Sequence, residues 1–206
     1  MPLNNTNIVS AGQTKFGKLE GISLREIFAD AVNLATVDAD IPKEDIQAAF
    51  IGTFIPEMLV HQGHTAPLLL DFAGMRGLPA TRHEAACASG ATALRAAVMA
   101  IESGMYDTVL VAGAEKMTSV STNKATEALA AAADDEFESG VGLTFPGVFG
   151  IAAVAHMRKY GTTEEDLARV AVKAHKNAST NPLAQFQKEI TLEKAMMPRY
   201  IAWPLK

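Results

Sequence analysis

The segment Leu78-Pro-Ala-Thr-Arg-His-Glu-Ala-Ala-Cys-Ala-Ser-Gly90 contains the single cysteine of the chain and leads into a dense helical pattern. Gly104 ends that pattern, as glycine often ends helices. The apolar stripe that we expect to face the core is Ala91, Leu94, Ala97, Val98 and Ile101. Residues 107–113 then predict a buried central parallel strand, because they are apolar on both faces. The order is therefore strand, cysteine, helix, strand.

Upstream of this segment, strand and helix patterns alternate. Residues 7–12 predict a short buried strand, and Ser23 with Glu26 has capping-box spacing at the start of a helix. Residues 48–54 predict a second buried strand, and residues 65–74 predict an apolar helix. Such alternation favours a layered α/β domain.

Cys87 lies where the predicted strand turns into the predicted helix. Free backbone N–H groups and the positive end of the helix dipole favour a thiolate over a thiol at such a position. Small neighbours leave space for a substrate carbonyl, and Gly90 is expected to let the helix pack closely against its sheet. The alternative is a buried cysteine that acts as a small apolar residue.

Composition limits the classes of function. The 206 residues are 49% hydrophobic and 20% charged, which is typical of a compact globular protein. A net charge of -5 argues against a general electrostatic grip on nucleic acid or anionic membrane. Without a long apolar run or a signal-peptide pattern in residues 1–10, we expect a cytoplasmic protein with no membrane partner.

The texture of the sequence changes after Glu115, where serine, threonine, alanine and acidic residues become frequent. Helical periodicity returns at Ile151 and again at Glu164. In between we expect an alanine-rich helix at 125–133 and a glycine-punctuated loop at 140–150. That loop lacks the trailing Lys-Ser/Thr pair of a phosphate-binding loop, so a nucleotide triphosphate site is not predicted.

The five histidines give weaker signals. His83 precedes Cys87 by four residues, but strand alternation aligns their side chains only if the strand runs unbroken to the turn, so we do not expect His83 to be a catalytic base. His61 and His64 have a spacing that suits a metal, yet two ligands without a third favour a solvated or capping role. The other two, His156 and His175, are expected on amphipathic helices in structural or surface roles.

Three motifs carry a resemblance to a known family: Glu84-Ala-Ala-Cys-Ala-Ser-Gly90, Ile101-Glu-Ser-Gly104 and Asp107-Thr-Val-Leu-Val-Ala-Gly-Ala-Glu-Lys-Met117. Together with residues 142–150 and 160–182, they make the chain resemble the thiolase superfamily over nearly its whole length. The resemblance is to the sterol-carrier-type and archaeal-type acetyl-CoA acetyltransferases in particular. The cysteine block is its specific part.

The resemblance implies a duplicated α/β fold in which each half supplies a mixed, mostly parallel, five-stranded sheet. It implies that residues 1–117 are the N-terminal core and that residues 118–206 are an inserted loop domain with the start of the return to the core. Thiolases carry a histidine base, a second cysteine and an oxyanion-hole residue in a C-terminal half, which is absent here. Because oxyanion donors are worth about a hundredfold or more each, we expect negligible turnover from these 206 residues alone.

The resemblance also implies a function. Cys87 would accept an acyl group from acyl-CoA, and the covalent acyl-cysteine would serve to form or cleave a 3-ketoacyl-CoA. Coenzyme A thioesters are then the substrates, with no cofactor and no metal. Phe149 and Gly150 match the loop that borders the acyl pocket, so they are expected to contact the substrate. The alternative is a noncatalytic acyl-CoA-binding or assembly subunit.

Partners follow from the same resemblance. Thiolases form dimers, and often tetramers, across a strand edge next to the nucleophile, which here corresponds to residues 107–113 or 79–86. Archaeal-type relatives also associate with an OB-fold, zinc-ribbon acyl-CoA-binding protein. A half without its complement would expose an apolar helix layer, so we expect self-association or poor solubility unless a complement is present.

Overall fold

The computed structural model describes residues 6–206 and forms two compact units. The first unit comprises the residues up to Thr14 and Lys18–Ala125, and the second comprises Lys15–Gly17 and Thr126–Lys206. The assignment of residues 1–117 to a core and of 118–206 to a loop domain stays a prediction, and residues 1–5 lie outside the described part of the chain.

A parallel sheet forms the centre of the first unit. Its strands are β1 (Ala48–Gly52), β2 (Ala80–His83) and β3 (Val109–Gly113). The spatial order is β2-β1-β3, and Ala49 of β1 lies opposite Ala80 and Leu110 in its two neighbours. All pairs are parallel, and each successive pair is joined by a segment that contains a helix. The predicted α/β class with a parallel sheet is therefore confirmed.

The details of the sheet differ from the expectation. Among residues 6–206 there are three strands in the sheet, where five of mixed direction were expected. Residues 7–12 form no strand, and Ile8 and Val9 are exposed by 77% and 69%. The prediction that residues 107–113 form the central strand was also wrong, because β1 is the strand with two neighbours. An apolar pattern predicts that the two faces of a strand are covered. A strand is central only if both of its edges pair with other strands, and the apolar pattern does not show this.

Helices cover both faces of this sheet. They are α1 (Leu24–Ala39), α2 (Pro56–Val60), α3 (Thr65–Phe72) and α4 (Ser89–Glu102). Ala49 and Ile51 join residues of α1 and α3 in the main core cluster. Gly52 approaches α4 instead, and strand alternation places it on the face opposite Ile51. The result is a layered arrangement in which α4 packs against all three strands.

The N-terminus of α1 and the buried face of α4 were both predicted from the sequence. The capping box of α1 is confirmed, since the N–H of Glu26 donates to Ser23 Oγ and the N–H of Ser23 donates to the Glu26 carboxylate. The predicted stripe of α4 is partly wrong, because Ala91 and Leu94 are exposed. The buried positions of α4 are Ser89, Ala93 and Ala97. Ser89 faces inward at the start of the helix, and Ala93 and Ala97 lie on the same face because each follows at a spacing of four residues.

The second unit contains α6 (Phe145–Tyr160), α7 (Glu164–Ser179) and α8 (Leu192–Met196), while α5 (Thr122–Ala130) spans the division between the units. The helical predictions near 151 and 164 are confirmed, and the helix expected at 125–133 is present but runs three residues earlier, over Thr122–Ala130. The predicted loop at 140–150 was too long, because α6 already begins at Phe145. Thr144 caps α6 by accepting a hydrogen bond from the Gly147 N–H, and Pro146 suits the first turn.

No helix within residues 6–206 combines the length and the apolar character that crossing a bilayer requires.

Candidate active site

Cys87 lies in a short 3-10 turn, Ala86–Ala88, between the end of β2 and the start of α4. Its thiol is free and exposed. The predicted placement of the cysteine between a strand and a helix is therefore what the structure shows, and the alternative of a buried apolar cysteine is not. An exposed thiol at this position is open to an incoming electrophile.

The turn around Cys87 has an unusual backbone. Ala86 has φ 48°, in the left-handed region that residues other than glycine rarely adopt. Its N–H donates to the Glu84 carboxylate at 2.6 Å. The hydroxyl of Ser89 accepts from the Ala85 N–H at 3.0 Å and donates to the Ala86 carbonyl at 2.7 Å. Such a conformation costs about 1–3 kcal/mol and persists only when its surroundings hold it, which these hydrogen bonds do.

The approach of α4 to the sheet depends on Gly52. A Cβ atom on Gly52 would lie 2.9 Å from the backbone of Ser89 and Gly90, closer than real Cβ contacts come. A Cβ atom on Gly90 would meet nothing within 4 Å. The prediction that Gly90 permits the close packing was therefore wrong: the missing side chain that matters belongs to the strand.

A group of charged side chains gathers where the three strands end. Phe54, just after β1, donates its N–H to Glu115 at 2.8 Å, and its carbonyl accepts from Arg82 at 2.7 Å. Arg82 also binds the carboxylate of Glu57 through both terminal nitrogens. We call Phe54, Glu57, Arg82 and Glu115 the strand-end cluster. Sequence reasoning missed it, although Arg82 and Glu115 lie within two residues of a strand end and Glu57 lies in the first turn of α2.

Comparison with known proteins shows the family of the chain. Residues 6–196 match the family model described as the thiolase N-terminal domain. The chain belongs to the thiolase family. The resemblance that the cysteine block, Glu84 to Gly90, suggested is thereby confirmed.

The relatives of this thiolase chain are longer than the chain itself. It is 42% identical to an acetyl-CoA acetyltransferase of Methanothermobacter thermautotrophicus, over 99% of the chain and 53% of the relative. It is 41% identical to one of Methanocaldococcus jannaschii, over 99% of the chain and 52% of the relative. It is 34% identical to sterol carrier protein 2 of Bos taurus, over 96% of the chain and 37% of the relative. The chain thus spans about half the length of the first two relatives, or less for the third.

A solved structure supports the fold of the thiolase chain. That structure is named Ltp2-ChsH2(DUF35) aldolase, and it matches with a TM-score of 0.75 and 28% sequence identity. The match covers 96% of this chain and 50% of that chain. The fold described above is therefore a thiolase-like fold.

The electrostatics of the strand-end cluster are uneven. Burial raises the pKa of Glu115 above its ordinary value, and this outweighs the hydrogen bonds from Phe54 and Ile55 and the charge of Arg82. The pKa of Glu57 is lowered, first by its hydrogen bonds from Arg82. Within residues 6–206, the buried side-chain atoms without a hydrogen-bond partner are Arg82 Nε and Glu115 Oε1. The strand-end cluster of the thiolase chain thus contains two buried polar atoms without a hydrogen-bond partner.

This uneven balance predicts the pH dependence of a Glu115→Gln variant. Because the folded pKa lies above the ordinary 4.5, the stability that Glu115 contributes is full below that value and is lost as the pH rises through the raised pKa. Glutamine stays neutral and retains an acceptor for the Phe54 N–H. We expect the variant to gain stability relative to wild type between about pH 4 and about pH 7, measured by urea unfolding. A difference that stays constant or shrinks over this range would contradict the assignment.

The three histidines of the first unit have different local surroundings. The ring of His83 bonds the Thr81 hydroxyl at 2.9 Å and lies beside Phe50. His61 is the left-handed C-cap of α2, where its N–H donates to the Pro56 carbonyl, and His64 is the residue before α3. No group of three or more potential ligand side chains is assembled for a metal within residues 6–206. That His83 is not the base stays a prediction.

The two predicted substrate contacts lie in α6 of the second unit. Phe149 is exposed by 61%, which leaves its ring free to contact a ligand. Gly150 is buried, and a Cβ atom there would lie 2.9 Å from the Trp203 carbonyl oxygen. Close packing against the Trp203 backbone is thus one reason for a glycine at position 150. Contact of either residue with a substrate stays a prediction.

Both histidines of the second unit are on its helices, where His156 is exposed and His175 is half-buried. His156 on α6 bonds the Thr162 hydroxyl through Nδ1 at 2.9 Å. His175 on α7 is hydrogen-bonded to the Lys188 carbonyl at 2.9 Å and stacks on Phe186. These contacts give both side chains structural partners.

Proposed function

We propose that this thiolase-family chain supplies the nucleophile of an acyl-CoA acyltransferase of the acetyl-CoA C-acetyltransferase type. Cys87 Sγ attacks the carbonyl carbon of an acyl-CoA, the bond from that carbon to the CoA sulfur breaks, and CoA leaves as a thiolate that takes up a proton. In the synthetic direction a base removes a proton from acetyl-CoA, and the resulting carbanion takes the acyl group from Cys87 to give a 3-ketoacyl-CoA. In the reverse direction Cys87 Sγ attacks the 3-keto carbon of a 3-ketoacyl-CoA, the bond from that carbon to C2 breaks, acetyl-CoA leaves after C2 takes up a proton, and free CoA then takes the acyl group from Cys87. Covalent capture divides one difficult transfer into two easier ones.

The observation that carries this proposal is the exposed, free thiol of Cys87 in a turn held between β2 and α4. A thiol at the start of a helix faces backbone N–H groups, which suits a nucleophile and a developing oxyanion. The names of the two archaeal relatives, both acetyl-CoA acetyltransferases, support the same reaction class.

The other components of the whole enzyme belong to the same proposal. We place its base, its second cysteine and its oxyanion donors in residues that match the other half of the relatives. Phe149 borders the acyl pocket, Gly150 lies beside it, and residues 118–206 form the loop domain. The reaction uses coenzyme A thioesters without a further cofactor, in the cytoplasm, as a homodimer or tetramer. The similar solved structure is named for two components, Ltp2 and ChsH2(DUF35), which supports an additional partner chain. For that partner we propose the OB-fold, zinc-ribbon acyl-CoA-binding protein that the resemblance implies.

A noncatalytic role is the second candidate. The chain spans about half of the acetyl-CoA acetyltransferases it resembles, and the similar solved structure is named an aldolase. In this case the thiolase-like half binds acyl-CoA or assembles with a catalytic chain, and Cys87 performs no acyl transfer.

Alkylation of Cys87 separates the two candidates. The acyltransferase proposal predicts that iodoacetamide modifies Cys87 faster than it modifies glutathione near neutral pH, and that acetyl-CoA, but not acetate, slows this reaction. Mass spectrometry of the Cys87 peptide over time gives both rates. Protection by acetyl-CoA without enhanced reactivity favours the binding subunit. If Cys87 shows neither enhanced alkylation nor protection by acetyl-CoA, both candidates are contradicted.

A further inference from the structure

We propose that Arg82 and Glu115 are positioning residues for the turn that holds Cys87, an assignment that deepens the proposed function of that cysteine. Neither side chain is expected to touch the substrate. They act through the backbone at the carboxyl ends of the strands, from which the Cys87 turn departs.

One side chain from β2 and one from just beyond β3, the two strands that flank β1, bind the same peptide segment at the end of β1. Phe54 lies where the chain leaves β1, and both of its backbone polar groups are bound by these side chains. Glu115, two residues beyond β3, accepts from its N–H at 2.8 Å, and Arg82 of β2 donates to its carbonyl at 2.7 Å. The exits of all three strands are thus tied together at a single residue.

Arg82 is itself fixed in orientation. Both of its terminal nitrogens bind the carboxylate of Glu57, and such two-point pairing gives geometric specificity as well as attraction. The negative charges of Glu57, Glu115 and Glu84 each favour the charged form of its guanidinium. The side chain of Arg82 therefore has one well-defined place, and the strand that carries it is held with it.

The Cys87 turn begins immediately beyond this fixed point. Arg82 is followed by His83, the last residue of β2, and the left-handed residue Ala86 comes four positions after Arg82. The charge of Glu84 favours the charged form of Arg82, and the same carboxylate accepts the Ala86 N–H at 2.6 Å. An orientation set at Arg82 is thereby passed to the strained residue that precedes the nucleophile.

The energetics indicate that the cluster is more than a stabilising ion pair. Arg82 Nε and Glu115 Oε1 are buried without a hydrogen-bond partner, and burial raises the pKa of Glu115. Unsatisfied buried polar atoms are unfavourable, and partly buried ion pairs often add little to stability. Charges kept under these conditions are better explained by the geometry that they impose.

Hydrogen exchange of the full chain, read by mass spectrometry on peptides covering 84–90, tests this assignment directly. Arg82→Met and Glu115→Ala should each speed exchange in this turn by about tenfold or more, while peptides of β1 keep their protection. Glu115→Gln should stay close to wild type, because its amide oxygen still accepts the Phe54 N–H. Arg76→Met is the matched control, since Arg76 pairs with Asp71 on the surface, and it should change nothing.

The outcomes separate the assignment from the proposed function, because exchange does not depend on the reactivity of the thiol. Unchanged exchange at 84–90 would overturn the positioning role, and so would an equal increase throughout β1 and β3, which indicates general destabilisation. If Arg82→Met fails to fold, Glu57→Gln is the second variant, because it weakens the pairing that orients Arg82. It must then speed exchange at 84–90 without speeding exchange in β1 and β3. A wild-type Cys87 that alkylates only as fast as glutathione contradicts the proposed function instead.

Discussion

Replacing Cys87 with serine is expected to lower acyl transfer by about a thousandfold or more, the largest effect of any substitution considered for this chain. The proposed step needs a sulfur nucleophile that both attacks the acyl carbonyl and leaves again as a thiolate. Serine fits the same space but is a far weaker nucleophile near neutral pH. The measurement is acetoacetyl-CoA thiolysis by the protein purified together with the chain that completes the enzyme.

The control for this experiment is Ser103→Ala, at the other end of α4. Ser103 is exposed, and its hydroxyl donates only to the Ala100 carbonyl one turn earlier. This variant should retain wild-type turnover. Activity that survives in Cys87→Ser at more than about a tenth of the wild-type rate would exclude Cys87 as the acyl acceptor.

Gly52→Ala is expected to lower the free energy of unfolding by about 1–3 kcal/mol, in spite of its small size. The added Cβ atom would lie 2.9 Å from the backbone of Ser89 and Gly90, where no flexible side chain can yield. Either β1 or the start of α4 must move. Because α4 begins two residues after Cys87, we also expect the alkylation rate of Cys87 to change. Thermal and urea unfolding measure the first effect, and iodoacetamide labelling measures the second.

Gly90→Ala is the matched comparison for this prediction, since the two glycines face each other across one contact. A Cβ atom on Gly90 meets nothing within 4 Å, and alanine is the better helix former by about 0.5–1 kcal/mol. We therefore expect Gly90→Ala to be neutral or stabilising. The opposite order of stability for the two variants would show that the close approach of α4 does not depend on Gly52.

Much of the fold could be predicted because its signals are local. The capping box at Ser23, the buried pattern of β1 and the strand, cysteine and helix around Cys87 each depend on a few adjacent residues. Strand order is not local. The apolar run 107–113 correctly indicated a strand, but which strand has two neighbours is decided by pairing with β1.

The candidate site shows the same division. The position of Cys87 follows from its place between a strand and a helix, whereas the strand-end cluster joins residues 28 and 61 positions apart in the chain. A single arginine or glutamate beside a strand carries no sign of its partner. The close packing was likewise assigned to Gly90 and not to Gly52, because only the packed structure shows whose missing side chain makes room.

The most direct test of the central claim is to find the acyl group itself. The protein is incubated with acetyl-CoA, quenched in acid, digested and mapped by mass spectrometry. We predict a single acetyl group on the peptide that contains Cys87, removable by hydroxylamine as a thioester is, and absent from Cys87→Ser. An unmodified Cys87 peptide, or acetylation found only on lysines and resistant to hydroxylamine, would contradict the assignment of Cys87 as the acyl acceptor.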